Sequence, residues 1–170
     1  MKAIESALEA AAVTHTANAE EAEILICYDG SNDAKRAVAA AAALLGSRHA
    51  VVLNVAPAMT FAEGMAATSS LVPGTAFEDL NRADALIRAE AGAARARRAG
   101  LDAEARATTA STTWRGIVDV ADELDAAIIV IGSRGLGGLR ELAGGSLSHD
   151  VATHARRPVL IVPPSPKGAA

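Results

Sequence analysis

Residues 127–150 read AIIVIGSRGLGGLRELAGGSLSHD, and no other stretch restricts the fold as much. Ile128, Ile129, Val130 and Ile131 form an unbroken β-prone apolar run that stops at Gly132. The run is too short for a helix and has no polar alternation, so it reads as a strand buried on both faces, as in a parallel sheet. A glycine-rich segment then leads to Ser146, a good N-cap for a helix through Val151 to about Ala155. Strand, glycine loop and helix N-terminus together suit an anion. Glycines let backbone N–H groups come close to a ligand, and the helix start offers unpaired donors at the positive end of its dipole. The spacing is specific: Gly132, two residues, Gly135, nine residues, Gly145, then Ser146.

The chain has 170 residues, enough for one domain with a real core. Apolar residues make up 51% but aromatics 2%, so the core must be aliphatic, with helices approaching the sheet through Ala. The net charge of −4 is spread along the chain, and no basic block invites nucleic acid. Cys27, the single cysteine, excludes an intramolecular disulfide and suits a reducing cytoplasm. No run approaches the ~18 apolar residues that span a bilayer.

In chain order, residues 1–22 form an Ala/Glu-rich extension, expected to be helical or flexible. Ile4, Leu8 and Ala11 recur at helical spacing, and Glu5 and Glu9 interrupt the apolar core a signal peptide would need. Ile24–Tyr28 reads as the first strand and Asp29-Gly30-Ser31 as its turn. Asn32 or Asp33 is expected to cap a helix that turns Ala34, Val38, Ala41 and Leu45 to the sheet and stops at Gly46. Val51–Ala56 is the second strand, which completes a right-handed βαβ unit. Asp29 falls at the carboxyl end of the first strand, where open α/β sheets bind ligands. Its carboxylate can accept hydrogen bonds from a ligand there, or simply bond its own turn.

Pro57–Thr75 reads as a long loop, and Phe77–Arg98 as a helix with Leu80, Ala83, Ile87, Ala91 and Ala94 on its buried face. Arg95, Arg97 and Arg98 suit the negative end of that helix. Asp102–Thr109 reads as an edge strand, and Ser111 or Thr112 as the cap of a helix carrying Ile117, Val120 and Leu124. Trp114 is expected to plug local packing rather than stack on a ligand. His149, Asp150 and His154 make a poor metal set, because the histidines are five residues apart and no cysteine joins them. Val159–Val162 is the last strand, ended by Pro163 and Pro164. The domain is thus expected over residues 23–164, with 165–170 a flexible tail.

The glycine spacing, ILICYDGSNDAKRAV, VVLNVAP and RRPVLIVP together resemble the ATP-binding branch of the universal stress protein family, from about Glu23 to Pro163. The resemblance implies a single doubly wound α/β domain, a five-stranded parallel sheet of order 3-2-1-4-5 with helices on both faces, like the adenine nucleotide α-hydrolases. That order brings Asp29 beside Gly132 at the switch point. The resemblance implies ATP as cofactor, with or without Mg²⁺. The residues it implies at the nucleotide are Tyr28, Asp29, Val55 and Ile131 from the strands. From the loop and the helix start come Gly132, Arg134, Gly135, Gly145, Ser146, Leu147 and Ser148. It also implies a homodimer through the apolar edge strand 159–162, and a client protein it does not identify.

This sequence departs from its relatives in two places. ATTASTTWRG stands where a Gly and a Pro are common, and Gly144 where an apolar residue is common. No GxxxxGK[ST] pattern occurs and no Lys lies near the phosphate loop, so binding is expected rather than rapid turnover. Two alternatives remain open. An α-hydrolase-type enzyme would carry its pyrophosphate loop after the first strand, which here reads DGSND without paired glycines. A nucleotide-free dimeric scaffold is the other.

Overall fold

The computed structural model describes residues 23–58, 74–133 and 146–164, the side chains of 74–77 excepted. Along the chain run β1 (Ile24–Cys27), α1 (Asn32–Leu45), β2 (His49–Pro57), α2 (Gly74–Arg98), β3 (Asp102–Ala110), α3 (Thr113–Glu123), β4 (Ile128–Gly132), α4 (Leu147–His154) and β5 (Val159–Val162). The strands form one parallel sheet in the order β3-β2-β1-β4-β5, as expected. The chain winds outward from β1 to one edge, then returns to β4 on its other side, so the strand order reverses between β1 and β4.

Alternation along the strands divides the core in two. Ile24, Ile26, Ala50, Val52 and Val130 face α1 and α2, whereas Leu25, Val51, Leu53, Ile129 and Ile131 face α3 and α4. Ile24, Leu25, Ile26 and Ile129 are fully buried, each worth about 1.5–3 kcal/mol of apolar transfer. Central strands buried on both faces are why the sequence shows apolar runs there rather than alternation.

Local chemistry sets the helix ends, with one shift from expectation. Ser31, not Asn32 or Asp33, is the N-cap of α1, and its hydroxyl accepts the Ala34 N–H at 3.1 Å. The turn before it needs Gly30, whose φ of 84° lets the chain leave β1 sharply enough to start a helix at once. Asp33 then lies inside the first turn, paired with Arg36 at 2.6 Å.

Helix α2 corrects the expected burial. Leu80 and Ile87 are 65% and 68% exposed, and the sheet-facing side is Ala85, Ala89, Gly92, Ala93 and Ala96. Gly92 shows why: a Cβ there would lie 2.7 Å from the Tyr28 ring and 2.8 Å from Val52. The helix sits too close to the sheet for leucine. In its last turn Arg97 donates to the Ala103 carbonyl at 2.7 Å and pairs with Glu90. Among the described residues no helix is long and apolar enough to cross a membrane.

Residues 1–22, most of the long loop and residues 165–170 lie outside the described residues, as do Arg134, Gly135, Gly144 and Gly145.

Candidate functional site

Where strand order reverses, the connections from neighbouring strands leave in opposite directions and open a crevice at the carboxyl edge of the sheet. Here a cavity of about 200 Å³ lies between the ends of β1, β2 and β4 and the starts of α1, α3 and α4. Of the residues expected at a nucleotide, it gathers Tyr28, Asp29, Val55, Ile131, Gly132, Ser146, Leu147 and Ser148. It adds Cys27, Ser31, Asn54, Thr113 and Ser133, which the sequence reading did not single out as site residues.

Each is held for a local reason. Asp29 follows β1 directly, and its Oδ1 accepts the Ser31 N–H at 2.9 Å, so the carboxylate is fixed by its own turn. Tyr28 is 7% exposed and its ring belongs to the core under α2, so its backbone is the part nearest the crevice. Gly132 has a packing reason as well as a ligand one. A Cβ there would lie 2.8 Å from the Asp33 carbonyl carbon, so the end of β4 and the first turn of α1 can meet only at glycine. Ser133 closes that junction, its hydroxyl donating to Asp33 at 3.4 Å.

Ser146 stands at the N-cap position of α4 but does not cap it with its side chain. Its hydroxyl lies 2.7 Å from that of Ser148, which is 7% exposed. Two hydroxyls and the first turn of a helix therefore meet at one point of the crevice. Helix starts leave backbone N–H groups outside the helical ladder, and a phosphate or carboxylate satisfies them with the favourable end of the dipole.

Val55 supplies a different kind of group. The β1–β2 register ends at Cys27–Leu53, with one further bond from the Tyr28 N–H to the Leu53 carbonyl. Continuing the ladder would send the Val55 N–H to the Tyr28 carbonyl. That carbonyl instead accepts the Asn54 side-chain amide at 2.6 Å. The backbone edge of Val55 on this side faces the crevice. Its side chain is seated against Gly116, where a Cβ would lie 2.8 Å away.

Cys27 is at the floor. Burial, and secondarily the Asp29 charge, push its thiol up to about 12, so it is a neutral packing residue and not a nucleophile. Trp114 stacks on His154 with ring centroids 4.2 Å apart, tying α3 to α4, which agrees with a packing role. His154 is further turned to the Asp150 carbonyl at 2.8 Å, and no set of three His, Cys, Asp or Glu side chains comes together among the described residues.

Asn54 was legible in principle: it is the one polar residue in VVLNVAP, an otherwise apolar strand.

Comparison with known proteins agrees with this architecture. The model of the universal stress protein family matches residues 22–163. The universal stress protein YxiE of Bacillus subtilis (strain 168) is 48% identical over 46 residues, 27% of this chain; the match spans 31% of that relative's length. A universal stress protein structure from Archaeoglobus fulgidus superposes with a TM-score of 0.60 at 26% identity, covering 83% of this chain and 93% of that one. The structure of the universal stress protein from Archaeoglobus fulgidus in complex with dAMP has a TM-score of 0.55 at 23% identity, covering 84% of this chain and 98% of that one. With a family match over residues 22–163, most of its length, this chain belongs to the universal stress protein family.

Proposed function

We propose that the crevice binds an adenine nucleotide, ATP by preference, and that the protein acts as a nucleotide-dependent binding module in a stress response. The observation that carries this reading is the pair of hydroxyls, Ser146 and Ser148, at the start of α4, with Ser146 not spent on capping its own helix. In this proposal the phosphates lie against Ser146, Ser148 and the backbone of Leu147, with Gly132, Gly135 and Gly145 admitting them closely and Arg134 adding charge. The base lies against Ile131 and the backbone of Tyr28 and Val55, and Asp29 meets the ribose. A relative from the same family was solved with dAMP, which supports an adenine nucleotide as ligand class. Mg²⁺ enters only as a companion of the phosphates.

No residue is assigned a chemical step. In this proposal the site supplies donors to phosphate oxygens, and the carboxylate among its described lining residues, Asp29, is held by its own turn, so turnover is expected to be far below the ordinary enzyme scale of about 1–10³ per second.

The test is titration calorimetry of nucleotide-free protein. ATP should bind to the parent, and Gly145→Val, which puts a side chain where a phosphate would lie, should abolish binding without changing the circular dichroism spectrum. Equal binding by the variant would remove the phosphate loop from the proposal.

We further propose a homodimer through β5. Ile161 is 41% exposed on an edge strand of the sheet, and a second copy would cover it and pair its backbone by two-fold contact. Sedimentation should give a dimer for the full chain, and a monomer or insoluble protein for Leu160→Lys with Val162→Lys. A full-length chain that stays monomeric at high micromolar concentration would contradict it. The cytoplasm is the proposed setting.

A further inference from the structure

We infer that Asn54 is a positioning residue that sets base selectivity in the crevice; this rests on the nucleotide reading above. Asn54 is 7% exposed, and its side-chain amide donates to the Tyr28 carbonyl at 2.6 Å. The bond settles the orientation of the amide, because the reverse assignment would set two carbonyl oxygens against each other.

That bond ends the β1–β2 ladder. In a parallel pair the Tyr28 carbonyl is the natural acceptor for the Val55 N–H, since the Tyr28 N–H already reaches the Leu53 carbonyl at 2.8 Å. A buried carbonyl must be satisfied by some donor. Asn54 supplies that donor from its side chain, and the main-chain edge of Val55 stays turned to the crevice. β1 meanwhile departs through Asp29 and Gly30 while β2 runs on to Pro57, so among the described residues nothing in the sheet replaces β1 at that level.

An N–H and a C=O on one side of one extended residue form a donor–acceptor pair of fixed order. Adenine presents a complementary pair, its exocyclic N6 amine as donor beside a ring nitrogen as acceptor. Guanine carries the O6 acceptor where adenine carries that amine, so it meets the Val55 carbonyl with an acceptor and is rejected. Removing the Asn54 amide leaves the Tyr28 carbonyl to capture the Val55 N–H. The ladder then lengthens by one bond, and the base loses its donor. Phosphate contacts at α4 are untouched.

The experiment is calorimetric titration of ATP and GTP into the parent, Asn54→Leu and Asn54→Ala at one pH near 7.5. Leu keeps the size without an amide, and Ala removes the amide with no new donor or charge. Both variants should lower the preference for ATP over GTP about tenfold, through weaker ATP binding at constant GTP binding. A purely structural role would weaken both nucleotides together, or neither, and either result with folded variants overturns the inference while leaving the nucleotide reading intact. A parent protein that binds neither ATP nor GTP overturns both. If Asn54→Leu fails to fold, Asn54→Ala alone decides by the same criterion.

Discussion

The two helical layers solve the same packing problem with opposite materials. On one face α1 and α2 meet the sheet mainly through Ala34, Ala37, Ala41, Ala89, Gly92, Ala93 and Ala96, with Val38 of α1 the one branched side chain fully buried among them, so little helix side-chain volume lies between. On the other, Ile117, Val120 and Val151 fill the space below α3 and α4. The first layer has no room to spare. The second comes as close at Gly116, where a Cβ would lie 2.8 Å from Val55, but elsewhere it is spaced by branched side chains, and the crevice opens on its side, against Thr113, Ile117 and Leu147. The alanine-rich layer has little side chain to lose, and the layer filled by branched side chains borders the crevice.

If this contrast is right, the layers should fail under opposite substitutions. Ile117→Ala removes a side chain that is 2% exposed and should cost about 3–4 kcal/mol in urea unfolding, by lost transfer energy plus the cavity left behind. Gly92→Val should cost about 2–3 kcal/mol in the same assay. The helix-propensity gain on replacing glycine is under about 1 kcal/mol, and it loses to a Cβ placed 2.7 Å from a buried ring. Were Gly92→Val neutral and Ile117→Ala mild, the two layers would not differ as described.

Cys27 sharpens the contrast on the crevice side. Its folded-state value, about 12, lies above its ordinary 9.0. The neutral thiol therefore contributes stability that is fully present below pH 9 and is lost as pH rises through 9 towards 12. About 1 kcal/mol should disappear between pH 8 and 10, and Cys27→Ala should flatten that part of the profile. The smallest effect belongs to the outward side of α2. Leu80→Gln and Ile87→Gln should each change stability by less than about 0.5 kcal/mol, as surface substitutions do. A larger loss would place those side chains in an interface.

That last pair also marks where sequence reading falls short. Leu80 and Ile87 stand seven residues apart with alanines between, and period alone assigns them to the core. The sheet instead selects the alanine and glycine side, because approach distance outweighs side-chain transfer energy there. Strands were easier: the runs in β1, β4 and β5 carry no polar residue, and their order followed the family resemblance. The start of α1 was legible to within a residue, since Ser31, Asn32 and Asp33 are all good caps and only geometry chooses among them. At the crevice the glycine spacing pointed to the β4–α4 junction, and Asp29 to its other wall. A polar residue inside an apolar strand marks Asn54 as unusual, but which carbonyl it reaches is not contained in one strand's sequence. The contact of Gly132 with Asp33 joins residues about a hundred positions apart, and no local pattern records it.

The central claim, an adenine nucleotide in the β1–β4 crevice, is tested most directly by thermal unfolding of nucleotide-free protein across an ATP series. With ATP at a hundred times its dissociation constant, linkage should add about 2.7 kcal/mol to the unfolding free energy, a rise of very roughly 5–10 °C in Tm. Gly145→Val should show no rise. A parent Tm that stays flat through millimolar ATP would contradict the account.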